Sequence, residues 1–399
     1  MQRPRASALS NHKRAKRSRG VVGLRYAVIA LVAVALAGAA VLLAQRPTDP
    51  ESASMRTSLP SPSASGAGTQ PPTSTPTPTP TPEPLTPAEQ LLAEAGDGNS
   101  CAVTFVGEGI VDGPVLEQQG ILYAHLPIPR RDGAVFAGWY PTPEDAAAFG
   151  DAARVNGADA VVCIGQQITL HGAWKTPEEV IAADVGVPIL MYHQFTTRAE
   201  GEDGWLRGNY SYIEDFDAHM AHLAGQQFYL PTWDELSAFI DGRLWLPHRS
   251  AIVTDDDADQ SWYDLGVPVI DKYKVLATSF MITAYRQDPA PSPYVLRRSH
   301  THDMHRAGQN GDGRMVNWSA DAIAADLEAS AAVLGVKEVM AYPFGHYNDV
   351  AKQGVAQAGF EMARTIQPGY VRAGTDKLAM PTVRIDYGMG LDAFIRLVG

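Results

Sequence analysis

Short apolar runs recur along the C-terminal half of the chain, at Pro188 to Met191, Ala251 to Thr254, Ala277 to Ile282, Val339 to Tyr342 and Met362 to Thr365. Runs of this length, bounded by polar residues, predict buried strands. Between several of them the apolar positions take helical spacing, over Ile213 to Ala224, Trp262 to Tyr273, Ala320 to Leu334 and Asp349 to Ala358. Strands alternating with helices predict an α/β domain over residues 183–399, built as a (β/α) barrel or a distorted version of one. In such folds functional side chains gather at the C-terminal ends of strands. His193, Asp256, Asp257 and Pro343 each follow an apolar run directly.

The N-terminal half is patterned differently. Residues 1–25 hold eight Lys or Arg and no acid, and the 19 residues from Tyr26 to Ala44 carry no charge. As a helix that run reaches roughly 28 Å, close to the ~30 Å hydrocarbon core of a bilayer. The expectation is a transmembrane helix at 26–45, with the basic tail cytoplasmic and the remainder extracellular. A cleaved signal peptide is the rival, but its apolar stretch is usually only about 7 to 15 residues long. Residues 46–87 are dominated by Pro, Ser and Thr and read as a semi-rigid stalk.

Residues 88–182 form a first globular segment, expected as a small α/β module with a helix at Glu144 to Asn156 and a buried strand at Val161 to Ile164. It holds both cysteines, Cys101 and Cys163. Outside the cytoplasm the two are expected to pair, with two unpaired buried thiols as the alternative. No chemistry is assigned to this segment.

Charge narrows the partners. The chain has 32 Lys and Arg against 44 Asp and Glu, a net charge of −12, and without its basic tail the balance is 24 against 44. Such a surface argues against nucleic acid and anionic lipid as partners and suits a neutral or amino-bearing polymer.

Four fragments carry candidate chemistry: Leu190 to His193, Thr254 to Asp257, Ser299 to His305 and Ala341 to Gly345. Three carboxylates at a strand end (Asp255, Asp256, Asp257) repel one another unless a cation lies there. A calcium loop fails on detail, because Gln260 replaces the turn glycine and Gly266 stands where the bidentate Glu belongs. His300, His302 and His305 fall within six residues. Two imidazoles with one carboxylate make a metal site with positions open for water. Spacing alone leaves open which two histidines bind.

Taken together, these fragments resemble the polysaccharide deacetylases of carbohydrate esterase family 4, in the branch that has an LMYH segment ahead of the aspartate motif, as in poly-N-acetylglucosamine deacetylases. The resemblance runs from about Val187 to the C-terminus. It includes Phe216 to Leu236, similar to a helix and following strand of that family, and Leu378 to Ile385. It implies Asp256 as general base, Asp257, His300 and His305 as metal ligands, His193 as general acid and a backbone N–H near Tyr342 for the oxyanion. The implied cofactor is a divalent metal, zinc first, with cobalt, nickel or iron as alternatives.

The chain departs from the family pattern at Asp255 (usually Phe), Ala258 (usually Gly) and Ala341 (often an Arg supporting the base). An added carboxylate at Asp255 is expected to raise the pKa of the base, and Arg384 is the candidate to supply the missing guanidinium. Trp262, Tyr294 and Trp318 are candidate sugar-stacking residues. The activity implied is metal-dependent removal of N-acetyl groups from N-acetylhexosamines of a cell-envelope polysaccharide. An inactive glycan-binding module and an O-acetyl esterase using the same site are the alternatives.

Overall fold

The structure is a computed structural model that describes residues 83–399. The expected transmembrane helix, the basic tail and nearly all of the stalk lie outside the described residues. Among the described residues no helix is long and apolar enough to cross a membrane.

Two main sheets and one two-stranded pair make up the described residues. The first is four-stranded, with β1 (Ser100–Val106), β2 (Val115–Gln118), β3 (Val135–Tyr140) and β4 (Gln167–Lys175) in the order β2-β1-β4-β3. Cys101 of β1 is disulfide-bonded to Cys163, with Cα atoms 6.1 Å apart. Val161 to Ile164 is not a strand. Val161 is fully buried, but Val162 and Ile164 face solvent, and the segment makes only single bridges. The expected helix at Glu144 to Asn156 is broken into Pro143–Ala148 and a 3-10 turn, Asp151–Ala153, because Phe149 ends the first piece in a left-handed conformation, φ 52°.

The second sheet excludes two very short strands, β6 (Gln194–Thr196) and β7 (Tyr210–Tyr212), that pair only with each other. It contains β5 (Ile189–Tyr192), β8 (Ile252–Asp257), β9 (Ala277–Met281), β10 (Val295–Ser299), β11 (Val339–Ala341), β12 (Met362–Pro368) and β13 (Met380–Arg384). These seven close into a barrel in the order β10-β11-β12-β13-β5-β8-β9, and every neighbouring pair is parallel. The fold is therefore α/β with a distorted barrel of seven strands.

The expected helices at Ile213, Ala320 and Asp349 form as Ile213–Gly225, Ala320–Leu334 and Asp349–Gln357. The one at Trp262 begins as a π-helical turn, Trp262–Gly266, before Val267–Tyr273. The segment after Ile213–Gly225, expected as a strand, becomes the helix Trp233–Ile240. Thr232 and Glu235 cap it reciprocally in a capping box.

Alternation along each strand sorts its side chains to two sides. Ile189, Ile252, Phe280, Val339, Met362 and Met380 share the interior cluster. Leu190, Val253 and Val383 instead meet the helical layer with Phe216, Met220 and Trp262. The interior cluster continues without a break into Cys101, Val103, Phe105 and Trp139 of the first sheet. Trp245 N–H donates to the Phe136 carbonyl at 2.8 Å and ties the first sheet to the segment that leads into β8.

His219, on the helix Ile213–Gly225, is 1% exposed. Its ring stacks on Phe394 with centroids 4.1 Å apart, and its Nδ1 lies 3.1 Å from the Tyr192 hydroxyl. Burial pulls its pKa from 6.5 down to about 4. The folded pKa lies below the unfolded one, so this residue's contribution is complete above pH 6.5 and is lost as pH falls toward 4. It amounts to at most about 3 kcal/mol. Unfolding free energies of wild type and His219→Phe measured by urea titration between pH 7 and 4.5 should converge as pH falls; a constant gap would contradict this assignment.

Candidate active site

β8 ends in the three carboxylates, and its alternation separates them. Thr254 fixes the strand end by donating from Oγ1 to the Leu190 carbonyl at 2.9 Å. Asp256 has the inward parity of Ile252 and is 3% exposed, whereas Asp255 has the outward parity of Val253 and is fully buried. The chain then turns left-handed at Asp257 (φ 75°) and Ala258 (φ 52°), which redirects Asp257 from the strand's course. The family glycine would take this conformation freely; Ala258 adopts it at a cost of about 1 kcal/mol.

Asp255 does not support the base. Among the described residues its two oxygens have no hydrogen-bond partner. Burial first, and then Asp256 and Asp257, hold its carboxyl well above the usual range. The acid that pays for crowding is thus Asp255, on the outward side. Burial would also raise Asp256, but Arg364, His193 and His300 outweigh it and hold that carboxyl below its usual range.

Arg364 was missed by sequence reasoning. It is fully buried in β12, shares the inward parity of Met362, and its Nη2 donates to Asp256 Oδ1. Its Nη1 reaches the Met191 sulfur at 2.9 Å, and its guanidinium lies 5.3 Å from the Phe280 ring centre. Arg364 is the register partner of Ala341. The guanidinium absent at 341 therefore arrives from the next strand. The signal in the sequence was a lone arginine inside the apolar run Met362 to Thr365. Arg384 sits at the rim, bonded to Asp386 at 2.7 Å and to Asn209 at 2.6 Å, and leaves the base to Arg364.

The two imidazoles come from the loop after β10. Thr301, at φ 72°, turns the loop back, and Asp326 on the helix Ala320–Leu334 accepts from the N–H groups of His302 (2.7 Å) and Asp303 (2.9 Å). Those bonds fix the arc between His300 and His305. His302 faces away and meets Thr283 Oγ1 at 3.1 Å.

Asp257 Oδ1 lies 3.4 Å from His300 Nε2 and 3.2 Å from His305 Nε2, without a hydrogen bond of good geometry to either. The three donors fall within 4.8 Å of one another. Donors about 2.0 to 2.1 Å from one tetrahedral ion lie about 3.3 Å apart, so this set fits a divalent metal. His300 Nδ1 lies 2.9 Å from the Ala341 carbonyl, which fixes the tautomer and turns Nε2 toward Asp257. Burial and the neighbouring His300 lower His305 to about 4, leaving a neutral imidazole suited to ligation.

His193 Nε2 stands 3.7 Å from Asp256 Oδ2, beyond hydrogen-bond range, so the two groups face each other across a gap. Burial lowers the His193 pKa, and Asp256 and Asp257 partly restore it. The Tyr342 N–H is not the oxyanion donor. It donates to the Arg364 carbonyl at 3.0 Å within the barrel ladder. Two residues on, the turn holds Phe344 at φ 58°, its ring centre 4.2 Å from that of His305. Trp262 is completely buried and Tyr294 immediately precedes β10 at the opposite end of the barrel, so these two form no stacking wall; Trp318 is partly buried, its ring centre 5.3 Å from the Arg314 guanidinium.

Breaking a buried pair by removing one partner costs about 3 to 5 kcal/mol. Arg364→Met should lose that much in urea unfolding, and adding Asp256→Asn should recover part of it. A double variant that loses the sum of the Arg364→Met and Asp256→Asn losses would show that the two groups do not stabilise each other.

Residues 246–363 match the family described as Polysaccharide deacetylase. A poly-beta-1,6-N-acetyl-D-glucosamine N-deacetylase of Staphylococcus aureus (strain MRSA252) is 27% identical over 173 residues, covering 38% of this chain and 58% of that protein. A Staphylococcus epidermidis protein of the same name is 26% identical with the same coverage. The chain thus spans less than two thirds of the length of these relatives. Among solved structures, the Streptococcus pyogenes deacetylase PplD in complex with acetate aligns at 19% identity and TM-score 0.46, over 54% of this chain and 99% of that one. The carboxylates of β8, the histidine loop and Arg364's partner strand β11 all fall within the matched span, so the part of the barrel that carries the site is the part similar to the polysaccharide deacetylase family.

Proposed function

We propose that this protein is a metal-dependent hydrolase removing N-acetyl groups from N-acetylhexosamine residues of a cell-envelope polysaccharide. The observation that carries this reading is the convergence of Asp257, His300 and His305 within 4.8 Å beside an ionised, arginine-held Asp256. The names of the Staphylococcus relatives support an N-acetylated glucosamine polymer as the substrate.

A divalent ion held by Asp257, His300 and His305, zinc in the first instance, would supply an acidified water and a polarised acetamide carbonyl. Asp256 accepts the water's proton, and Arg364 keeps it anionic for that task. A backbone N–H of the turn Pro343–Gly345, whose Phe344 packs against His305, donates to the oxygen on which charge develops. His193 delivers a proton to the departing amine across the gap that separates it from Asp256. Asp255, turned to the other side of β8, takes no part, which argues against a module inactivated by that substitution.

Wild type supplied with zinc or cobalt should release acetate from N-acetylglucosamine oligomers, with mass loss at nitrogen rather than oxygen. Dialysis against a chelator should abolish release. Asp256→Asn should lose at least about a hundredfold in kcat while still binding one metal, whereas His305→Ala should lose both. Acetate release that survives in Asp256→Asn would overturn the assignment.

We infer also that the apolar run at 26–45 anchors the chain in the cell membrane, with the stalk at 46–87 carrying the catalytic domain outside. Cell fractionation should recover the full chain with membranes, and deletion of Tyr26 to Ala44 should leave it unexported. A secreted form beginning after residue 44 would favour the signal-peptide alternative.

A further inference from the structure

We propose that Trp205 is a sugar-stacking platform at one end of the substrate groove, on the side of His193, and that it holds a unit of the polymer some distance from the one being cleaved. This rests on the reading of the site as a glycan deacetylase.

Of the seven tryptophans, Trp139, Trp233, Trp245 and Trp262 are buried, whereas Trp205 is 91% exposed. Burying such a side chain would contribute about 2 to 3 kcal/mol, so leaving it in water needs a reason.

That reason is not a loose loop. The excursion from β6 to β7 begins one residue after His193 and is tethered throughout its length by polar contacts. Thr196 Oγ1 donates to Glu202 at 2.5 Å, Arg198 Nη1 donates to Glu202 at 3.1 Å, and Arg207 Nη2 donates to the Glu200 carbonyl at 2.7 Å. Tyr387 donates to the Ala199 carbonyl and lies under the Arg207 guanidinium, 4.8 Å from ring centre to Cζ. It also fills the place a Cβ at Gly201 would occupy, and Gly201 has φ +82°. Arg384, whose charge acts on His193, holds Asn209 at the far end. The loop therefore keeps its shape without any help from Trp205. Its indole is presented on a supported excursion that leaves β5 directly after His193.

Barrel order supplies the direction of the groove. Phe344, 42% exposed, lies against His305 at the end of β11, three strands from β5 by way of β13 and β12. The excursion that carries Trp205 and the turn that carries Phe344 thus leave the barrel at strand ends three strands apart. A β-linked hexosamine chain lying across the mouth offers apolar ring faces to both. Only a chain of several units reaches Trp205, which separates its role from that of groups touching the scissile acetamide.

The test is chain-length dependence. Trp205→Ala should raise KM for N-acetylglucosamine hexamers by about fivefold, and Trp205→Phe should restore most of the loss. The disaccharide should show no comparable rise. A hexamer KM that stays at the wild-type value, or a disaccharide KM that rises as much, would overturn the proposal. In the Asp256→Asn background, hexamer binding should quench or blue-shift tryptophan emission, and the change should vanish when Trp205→Ala is added. That emission change tests the platform even if wild type releases no acetate, an outcome that would instead defeat the deacetylase reading. If Trp205→Ala weakens binding to phosphatidylglycerol vesicles and leaves the hexamer signal intact, the indole serves a lipid surface and the proposal fails.

Discussion

A guanidinium sealed inside a seven-stranded barrel sets the electrostatics of the whole site. Arg364 has no exposure to water and meets Asp256 directly. A buried pair of this kind is held by geometry more than by net energy, since the desolvation of both ions offsets most of their attraction. Its value here is in deciding which carboxylate stays charged. With Arg364 in place Asp256 remains ionised under nearly complete burial, while the carboxyl of Asp255, one residue away and facing the other side, is held well above its usual range.

The remaining geometry follows from how strands end. A regular strand would send Asp255 and Asp257 to one face and Asp256 to the other. The left-handed pair Asp257 and Ala258 breaks that pattern, so two successive acids serve neighbouring positions in one site. On the facing side, His300 and His305 sit five residues apart in an irregular arc, a spacing that neither helix nor strand brings together. Two backbone bonds to Asp326 and the turn at Thr301 make it workable. Asp326 lies on a helix far along the chain and touches no proposed ligand, yet it sets the separation of both imidazoles.

Much of this was legible in the sequence because apolar runs and acid or histidine clusters are local signals. The helix Ala320–Leu334 and the strand Ala277–Met281 appear almost where the pattern places them. β10 was not legible. Arg297 and Arg298 interrupt its apolar pattern, and their half-buried stems hide a strand that is central in the sheet. Val161 to Ile164 misled in the opposite sense, since an apolar run with two exposed members need not pair. Arg364, the Tyr342 amide and Asp326 depend on register and on contacts across long sequence separations. Ala341 gave notice of a missing cation, but only the pairing of β11 with β12 shows where it enters.

The unbroken apolar layer shared by the first sheet and the barrel bears on how such a protein arises and diversifies. Cys101, Phe105 and Trp139 sit in the same cluster as Ile189, Phe280 and Met362. A segment joined in that way is not a cassette that recombination can add to a finished enzyme or strip from it, because either half alone would present a sticky, greasy wall to water. Its history is tied to that of the barrel, and substitutions on one side of the seam select for compensating ones on the other.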